Sequence, residues 1–211
     1  MKTILCYGDS NTYGYNPSTS KRYARNLRWT GILQQELGQD YDVVEEGLNG
    51  RTTVYDDPIS DERNGKRQLM TCLHTHAPLD LVILMLGTND LKTCFGQTAY
   101  DIAAGANYLV ELVLSLDEEK WGSVPQVLLI SPVLLNKKLP PDFEAMFGTA
   151  DLSEKCAKLT ELYREIAQQH DILFLAAGDY AEVSCEDGLH MTAENHQKLA
   201  QAIAKKIQEN F

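Results

Sequence analysis

Five short apolar segments, separated by stretches of helical periodicity, do most to limit the folds open to this chain of 211 residues. The segments span residues 3–7, 41–45, 81–86, 126–130 and 172–175. Four of them are too uniformly apolar to alternate between inward and outward side chains. Such segments are typical of strands in a parallel sheet whose two faces are both covered. The sequence therefore predicts five buried strands in a parallel sheet.

Segments with helical periodicity lie between these strands. They span residues 27–37, 100–116, 152–168 and 193–207, and Thr192 is placed to cap the last of them. Strands that alternate with helices predict right-handed crossovers and a doubly wound α/β sandwich. The length suits one well-filled domain and is too short for two ordinary ones, so we expect a single domain over residues 1–211.

The composition disfavours several classes of partner. A net charge of −11 argues against nucleic acid and against anionic membrane surfaces, because both repel an acidic protein. No apolar run approaches the length of a membrane span. The N-terminus leads straight into the first predicted strand and leaves no room for a signal peptide. We therefore expect a cytoplasmic protein with no nucleic-acid or membrane partner.

The spacing of cysteine and histidine residues does not indicate a metal site. The five cysteines include no CxxC pair, which also disfavours a disulfide framework. His74 and His76 form an HxH pair, but no third ligand is evident near them. We expect no bound metal.

A serine follows the first predicted strand at the point where open α/β sheets bind ligands. The strand ends in Gly8-Asp9-Ser10-Asn11, so Ser10 lies just past its carboxyl end. Gly8 allows the backbone to turn sharply, and the Ser10 amide can then face a developing oxyanion. By itself such a segment is most often only a turn.

An aspartate and a histidine stand three residues apart directly before the last helix. In a turn of this length Asp187 can accept a hydrogen bond from Nδ1 of His190. That bond fixes the tautomer and leaves Nε2 free to take the Ser10 proton. The simpler reading makes Asp187 a turn residue and His190 a surface histidine.

Two further residues can supply electrophilic groups. Gly50 follows the second strand and can present a backbone amide, and Asn89 follows the third strand and can present its side-chain amide. Together with the Ser10 amide they predict an oxyanion hole with three donors. If each is considered by itself, Gly50 is most simply a loop glycine and Asn89 a capping residue. All the candidates, however, converge on one edge of the sheet. No GxSxG, GxGxxG or GxxxxGK[ST] motif is present.

These segments together resemble the four conserved blocks of the SGNH hydrolases, also called the GDSL-like esterase family. The block residues are Ser10, Gly50, Asn89 and the Asp187/His190 pair, in the family's order. The resemblance implies a flavodoxin-like, three-layer α/β/α sandwich with a five-stranded parallel sheet. It also implies a serine esterase that acts on a small-molecule ester through an acyl-Ser10 intermediate and needs no cofactor.

The similarity extends to the arylesterase and acyltransferase (perhydrolase) branch of this family. The matching stretches span residues 5–10, 28–31, 45–48, 51–53 and 80–90. The resemblance to this branch implies short acyl groups, acyl transfer to alcohols or peroxide, and a homo-oligomer.

Two loops contain the candidate substrate contacts. Asn11, which replaces the leucine of the family's GDSL name, precedes Tyr13 and Tyr15 in the loop after the first strand. Phe143 and Phe147 lie in the long segment 132–150. Long loops in a compact domain are usually functional or mobile, so we expect both loops to shape the pocket.

Other functions fit the same residues. A carbohydrate O-deacetylase or a thioesterase uses the same triad. The substrates of these enzymes are distinguished by the loops after Ser10 and Pro132, and the sequence alone does not separate them from an arylesterase. A non-catalytic ligand-binding module or a flavin-binding protein can share the fold. The complete set of Ser10, Asn89, Asp187 and His190 counts against a binding module, which has no need for all four.

Overall fold

A sheet of five parallel strands forms the centre of the protein. The computed structural model describes residues 1–136, 138–148 and 150–211. The strands are β1 (Lys2–Gly8), β2 (Tyr41–Gly47), β3 (Leu81–Met85), β4 (Gln126–Ser131) and β5 (Leu173–Ala176). Their spatial order is β2-β1-β3-β4-β5, and every neighbouring pair is parallel. This is the flavodoxin-like strand order, so the predicted sheet is confirmed.

Five long helices connect or follow the strands. They are α1 (Trp29–Leu37), α2 (Gly65–His76), α3 (Ala99–Leu114), α4 (Leu152–His170) and α5 (Ala193–Asn210). Shorter helices span Ser10–Tyr13, Glu118–Trp121 and Pro141–Phe147, and a two-stranded ribbon pairs Tyr15–Asn16 with Lys21–Arg22. No helix among the described residues is long and apolar enough to cross a membrane.

The helices cover the sheet from both sides. Side chains that alternate along β1 enter two separate cores: Leu5 and Tyr7 pack in the core with α2, α3 and α4. Ile4 and Cys6 pack in the other core, with α1 and α5. The uniformly apolar strands are thus buried on both faces, which explains why they lack a polar alternation. The three-layer α/β/α sandwich is confirmed.

Capping side chains fix the starts of two helices. The Thr98 hydroxyl accepts from the backbone of Asp101 at 3.2 Å, and the Asp101 carboxylate binds the Thr98 amide at 2.9 Å, which forms a capping box at the start of α3. Thr192 caps α5 through the amide of Asn195, as predicted.

Four helices were not predicted: the single turns Ser10–Tyr13 and Glu118–Trp121, and the two longer helices described next. The helix α2 buries only Gly65, Leu69 and Leu73, so its apolar face is too narrow to give a clear helical pattern. The helix Pro141–Phe147 lies within the segment 132–150 that was predicted as a loop, and it begins at a proline, which suits a first helical position. Residues 137 and 149 of that segment lie outside the described residues.

The sheet aligns the strand ends from which the loops with the predicted site residues begin. Gly8 at the end of β1 pairs with Gly47 at the end of β2 and with Met85 at the end of β3. The loops that carry Ser10, Gly50 and Asn89 therefore all start at the same carboxyl edge.

Candidate active site

A continuous chain of hydrogen bonds joins Ser10, His190 and Asp187. Nε2 of His190 lies 2.9 Å from Oγ of Ser10, and Nδ1 lies 2.6 Å from Oδ2 of Asp187. All three side chains are largely buried, with Ser10 7% exposed. This is the geometry in which a histidine takes a proton from a serine while a carboxylate holds the ring.

The turn after β1 presents Ser10 at the sheet edge. Asp9 caps the short helix Ser10–Tyr13, and its Oδ1 accepts from the amide of Asn11 at 2.9 Å. Burial raises the pKa of Asp9, while the hydrogen bond from Asn11 partly opposes that shift. A β-carbon at Gly8 would lie only 2.1 Å from Oγ1 of Thr12, so glycine is required for the chain to turn this tightly.

The second carboxylate oxygen of Asp187 organises the turn that carries His190. It accepts from the backbone amides of Leu189 and His190, each at 2.9 Å. Burial by itself raises the pKa of Asp187, but the hydrogen bonds from His190 and these amides outweigh burial and lower it. Asp187 is therefore ionised at neutral pH and accepts a hydrogen bond from Nδ1 of His190.

Asn11, a predicted substrate contact, is not among the residues that line the cleft beside Ser10. Its Nδ2 donates to the carbonyl of Leu189 at 3.2 Å, and its Oδ1 accepts from the amide of Met191 at 3.0 Å. Asn11 thus ties the loop of the serine to both residues that flank His190. Both ends of its side-chain amide bind this backbone, so it is a positioning residue.

Tyr13, another predicted substrate contact, is likewise not among the residues that line the cleft. The guanidinium of Arg22 stacks over its ring, with 4.5 Å between Cζ and the ring centroid. Arg22 additionally donates to the Tyr13 carbonyl at 2.8 Å. The ribbon Tyr15–Asn16/Lys21–Arg22 that follows Tyr13 therefore holds this side chain against Arg22 instead of against a ligand.

Three candidate hydrogen-bond donors belong to residues that line the cleft beside Ser10. Within the described residues, the backbone amides of Ser10 and Gly50 have no hydrogen-bond partner. Gly50 has a φ of +80°, a conformation that other residues rarely adopt. Nδ2 of Asn89 donates to the carbonyl of Arg51 at 3.1 Å, which fixes the side chain and leaves its second hydrogen available. Ser10, Gly50 and Asn89 all line one cleft.

Arg51 supports this edge of the sheet, a role that was not predicted; it was noted only as part of a stretch that resembles the family. It is 3% exposed, and Nη1 donates to the carbonyls of Gly8, at 2.9 Å, and Glu46. Its guanidinium also stacks on the ring of Tyr7, at 4.1 Å from the centroid. Arg51 therefore ties together the ends of β1 and β2.

Asp90 joins the loops after β2 and β3. Its Oδ1 accepts from the amide of Thr53 at 2.9 Å and from the hydroxyl of Thr53 at 2.5 Å. Burial raises the pKa of Asp90 to about 6, and the bonds from Thr53 oppose that rise. The signal that points to Asp90 and Thr53 is their place directly beside Asn89 and within the loop of Gly50.

The cleft has a volume of about 200 Å³ and combines aromatic with polar walls. The predicted substrate contacts Tyr15, Phe143 and Phe147 lie in it. The ring of Tyr15 packs 4.4 Å from that of His190, and Phe143 meets His190 edge-on at 6.4 Å. The full lining comprises Ser10, Tyr15, Asn49, Gly50, Arg63, Asn89, Lys92, Phe143, Met146, Phe147, Leu189 and His190.

The two histidines of the HxH pair have different partners. His74 stacks on Trp121 at 3.8 Å, and Nε2 of His76 lies 2.9 Å from the carboxylate of Glu46. In the ranges that the structure describes, no three His, Cys, Asp or Glu side chains are grouped to hold a metal ion.

Two solved structures resemble the whole chain closely. A carbohydrate acetylesterase from Sinorhizobium meliloti is 42% identical and superposes with a TM-score of 0.94, with 100% of each chain covered. The native aryl esterase of M. smegmatis is 40% identical, with the same TM-score and the same coverage. Among curated protein sequences no match is found.

The family comparison agrees with these structures. The GDSL-like Lipase/Acylhydrolase family matches residues 6–198, a range that includes Ser10, Gly50, Asn89, Asp187 and His190. The chain belongs to the GDSL-like lipase/acylhydrolase family, and it is a carboxylic ester hydrolase.

Proposed function

We propose that Ser10 attacks the carbonyl carbon of a short-chain acyl ester while Nε2 of His190 takes its proton. The observation that carries this proposal is the 2.9 Å contact between Nε2 and Oγ, together with the 2.6 Å contact from Nδ1 to Asp187. Asp187 holds the tautomer that leaves Nε2 unprotonated, and it stabilises the cation that forms.

The attack turns the ester carbonyl into a tetrahedral oxyanion. The amides of Ser10 and Gly50 and the free hydrogen of Asn89 Nδ2 are the donors that receive it. They are fixed before the substrate arrives, because Gly50 is held in its turn and Asn89 is tied to the Arg51 carbonyl. Donors that need no reorganisation are the most effective in stabilising such a charge.

Collapse of the oxyanion breaks the ester bond, and His190 gives its proton to the departing alcohol. The acyl group remains on Ser10. A water molecule, with His190 again as general base, then attacks the acyl carbon and frees the acid and Ser10. An alcohol or peroxide in place of water yields a transferred acyl group, so acyl transfer is the second activity of the same site.

The cleft suits a small acyl group and an aromatic or sugar alcohol. A volume of about 200 Å³ is below that of a drug-sized pocket, and the rings of Tyr15, Phe143 and Phe147 form its apolar wall. The two relatives described above are an aryl esterase and a carbohydrate acetylesterase of similar identity to this chain. We therefore propose acetyl esters of aromatic alcohols and of sugars as the preferred substrates, ahead of thioesters.

Comparison of an aryl acetate, a peracetylated pentose and an acetyl thioester tests this order. The rates of the protein are measured beside those of Ser10→Ala, whose rate gives the background for each compound. We expect Ser10-dependent turnover of both acetate esters at rates above that of the thioester. Turnover of the thioester alone, or rates equal to those of Ser10→Ala, would contradict the proposal.

A further inference from the structure

Two cationic side chains line the cleft in addition to the residues of the hydrolytic reaction. Lys92 follows the short helix of Asn89 and is only 7% exposed. Arg63 lies on the other side of the opening, at the loop of Gly50. The reaction proposed above uses neither of them, so another role must account for their position.

Lys92 is buried without a direct partner. In the described part of the chain, no carboxylate or carbonyl oxygen lies within hydrogen-bond or ion-pair distance of its ammonium group. Burial lowers the pKa of Lys92, and the carboxylates that oppose this shift, Asp57 and more weakly Asp9, act only at a distance. The ammonium group keeps access to solvent at the cleft, so it is available to an oxygen that enters there, and a charged oxygen gives the stronger hydrogen bond.

Arg63 lies directly over the turn of Gly50. A β-carbon at Gly50 would lie 2.7 Å from Nη1 of Arg63, so the guanidinium occupies the space that a side chain at this position would need. Its ion pair with Asp57 is long, at 3.7 Å between Nη1 and Oδ2. The Arg63 side chain is 38% exposed, and its fork of donors is available to a ligand.

Two cations line this end of the cleft. They are Lys92 and Arg63, and Asp57 is the one carboxylate that pairs with either of them among the described residues. These two cations line the cleft of a protein whose net charge is −11. An anionic group gains from both cations, and charge-assisted hydrogen bonds are about twice as strong as those of a neutral hydroxyl.

We propose that the preferred substrates are esters that carry a carboxylate, bound by Lys92 and Arg63 while Ser10 attacks the ester. This inference rests on the proposed function, since it names the substrate class of the same site. The aromatic wall of Tyr15, Phe143 and Phe147 takes the uncharged part of the molecule. Lys92 and Arg63 are specificity residues in this scheme.

Matched pairs of charged and neutral esters test the inference. On the alcohol side, para-acetoxybenzoate is compared with its methyl ester. On the acyl side, para-nitrophenyl hemiadipate is compared with para-nitrophenyl hexanoate. In at least one pair we expect a kcat/KM at least about tenfold higher for the anion, and the pair that shows it reveals on which side of the ester the carboxylate lies.

Variants assign this preference to the two cations. Lys92→Met and Arg63→Leu should each reduce the ratio of charged to neutral kcat/KM by about 10- to 100-fold, the range for one charged hydrogen bond. Lys158→Met and Arg67→Leu remove the same charges from exposed positions and should leave the ratio unchanged. If Lys92→Met does not fold, the half-exposed Arg63→Leu still decides the result.

The outcomes separate this inference from the function on which it rests. A ratio of one or less in both pairs, or a preference that survives both Lys92→Met and Arg63→Leu, would overturn the inference. In that case, hydrolysis of the neutral esters that is lost in Ser10→Ala still supports the proposed function. Hydrolysis that persists in Ser10→Ala would instead contradict the proposed function itself.

Discussion

Single residues far apart in the chain create the chemistry of the cleft. Ser10 and His190 are 180 positions apart and meet at 2.9 Å. Each is held by a neighbour with a buried polar side chain: Asp9 caps the helix of Ser10, and Asp187 organises the turn of His190. The reacting atoms are therefore positioned before a substrate binds, which reduces the entropic cost of the reaction.

Removal of the Asn89 side chain tests its role as an oxyanion donor. Asn89→Ala should lower kcat by about 10²–10³-fold, because this donor acts on charge that develops in the transition state. KM should change little, since the ground-state carbonyl gains less from the same donor. Steady-state kinetics with an aryl acetate measures both constants. An unchanged kcat would remove Asn89 from the mechanism.

Removal of the Asn11 side chain tests whether it positions the His190 turn. Asn11→Ala leaves the buried carbonyl of Leu189 and the amide of Met191 unpaired, which should lower the free energy of unfolding by roughly 2–4 kcal/mol. Activity should fall as well. Denaturant unfolding measures the first effect, with the exposed Asn210→Ala as control. Equal stability of the two variants would contradict this role.

The sequence predicted the reacting residues better than those that surround them. Ser10, Asp187 and His190 stand in recognisable motifs, and the structure brings them together. Asn11 and Tyr13 were expected to contact substrate because of their place in the chain. Their side chains instead bind backbone and an arginine, and these partners are set by tertiary packing that local sequence does not contain.

Loops at the ends of three strands form the next level of organisation. The end of β1 carries Ser10, and the loops after β2 and β3 carry Gly50 and Asn89. The buried pair of Asp90 and Thr53 joins the last two of these loops. The proposed oxyanion donors thus depend on contacts between loops and on the regular alignment of the strands.

The pH dependence of stability tests the buried state of Asp90. Its folded-state pKa is about 6 and its ordinary value is 3.8, so between these pH values the folded protein keeps a proton that the unfolded chain has lost. The contribution of Asp90 to the free energy of unfolding therefore falls as pH rises from about 4 to about 6. Asp90→Asn should lack this component.

Unfolding of the protein and of Asp90→Asn in denaturant at several pH values measures the effect. The difference in free energy, protein minus variant, should become less favourable to the protein from pH 4 to pH 6. A difference that stays constant or grows over this range would show that Asp90 is not buried as a raised-pKa acid.

Elements with wide apolar faces were predicted, and those with narrow faces were not. The predicted helix 152–168 is observed as Leu152–His170, and 193–207 as Ala193–Asn210. The helix Gly65–His76 buries little beyond Leu69 and Leu73, so its sequence lacks a clear apolar periodicity. Its position depends on packing against one face of the sheet, which brings together segments that are far apart in the chain.

The whole molecule is a sheet with two independent cores, one on each face. Every strand except those at the two edges is buried by neighbours and by helices, so this architecture followed directly from the apolar segments. The net charge of −11 also belongs to this scale, and the two cations Lys92 and Arg63 in the cleft wall contrast with it. A single domain, a cytoplasmic location and a homo-oligomer stay predictions.

Thiol labelling tests the burial of the cores. Cys94 and Cys185 are exposed and should react within minutes with a maleimide. Cys6 and Cys156 should react only after unfolding, because they are buried and burial raises the pKa of each thiol. Mass spectrometry of peptides from native and denatured protein distinguishes the two groups. Rapid labelling of Cys6 in the native protein would contradict the buried centre of the sheet.

The most direct test of the central claim is hydrolysis of para-nitrophenyl acetate by the protein beside its Ser10→Ala variant. The account predicts rapid release of nitrophenol by the protein and a loss of about 10³-fold or more in the variant, since no other described hydroxyl stands 2.9 Å from Nε2 of His190. Equal rates in the two proteins, with both shown to be folded, would contradict the assignment of Ser10 as nucleophile.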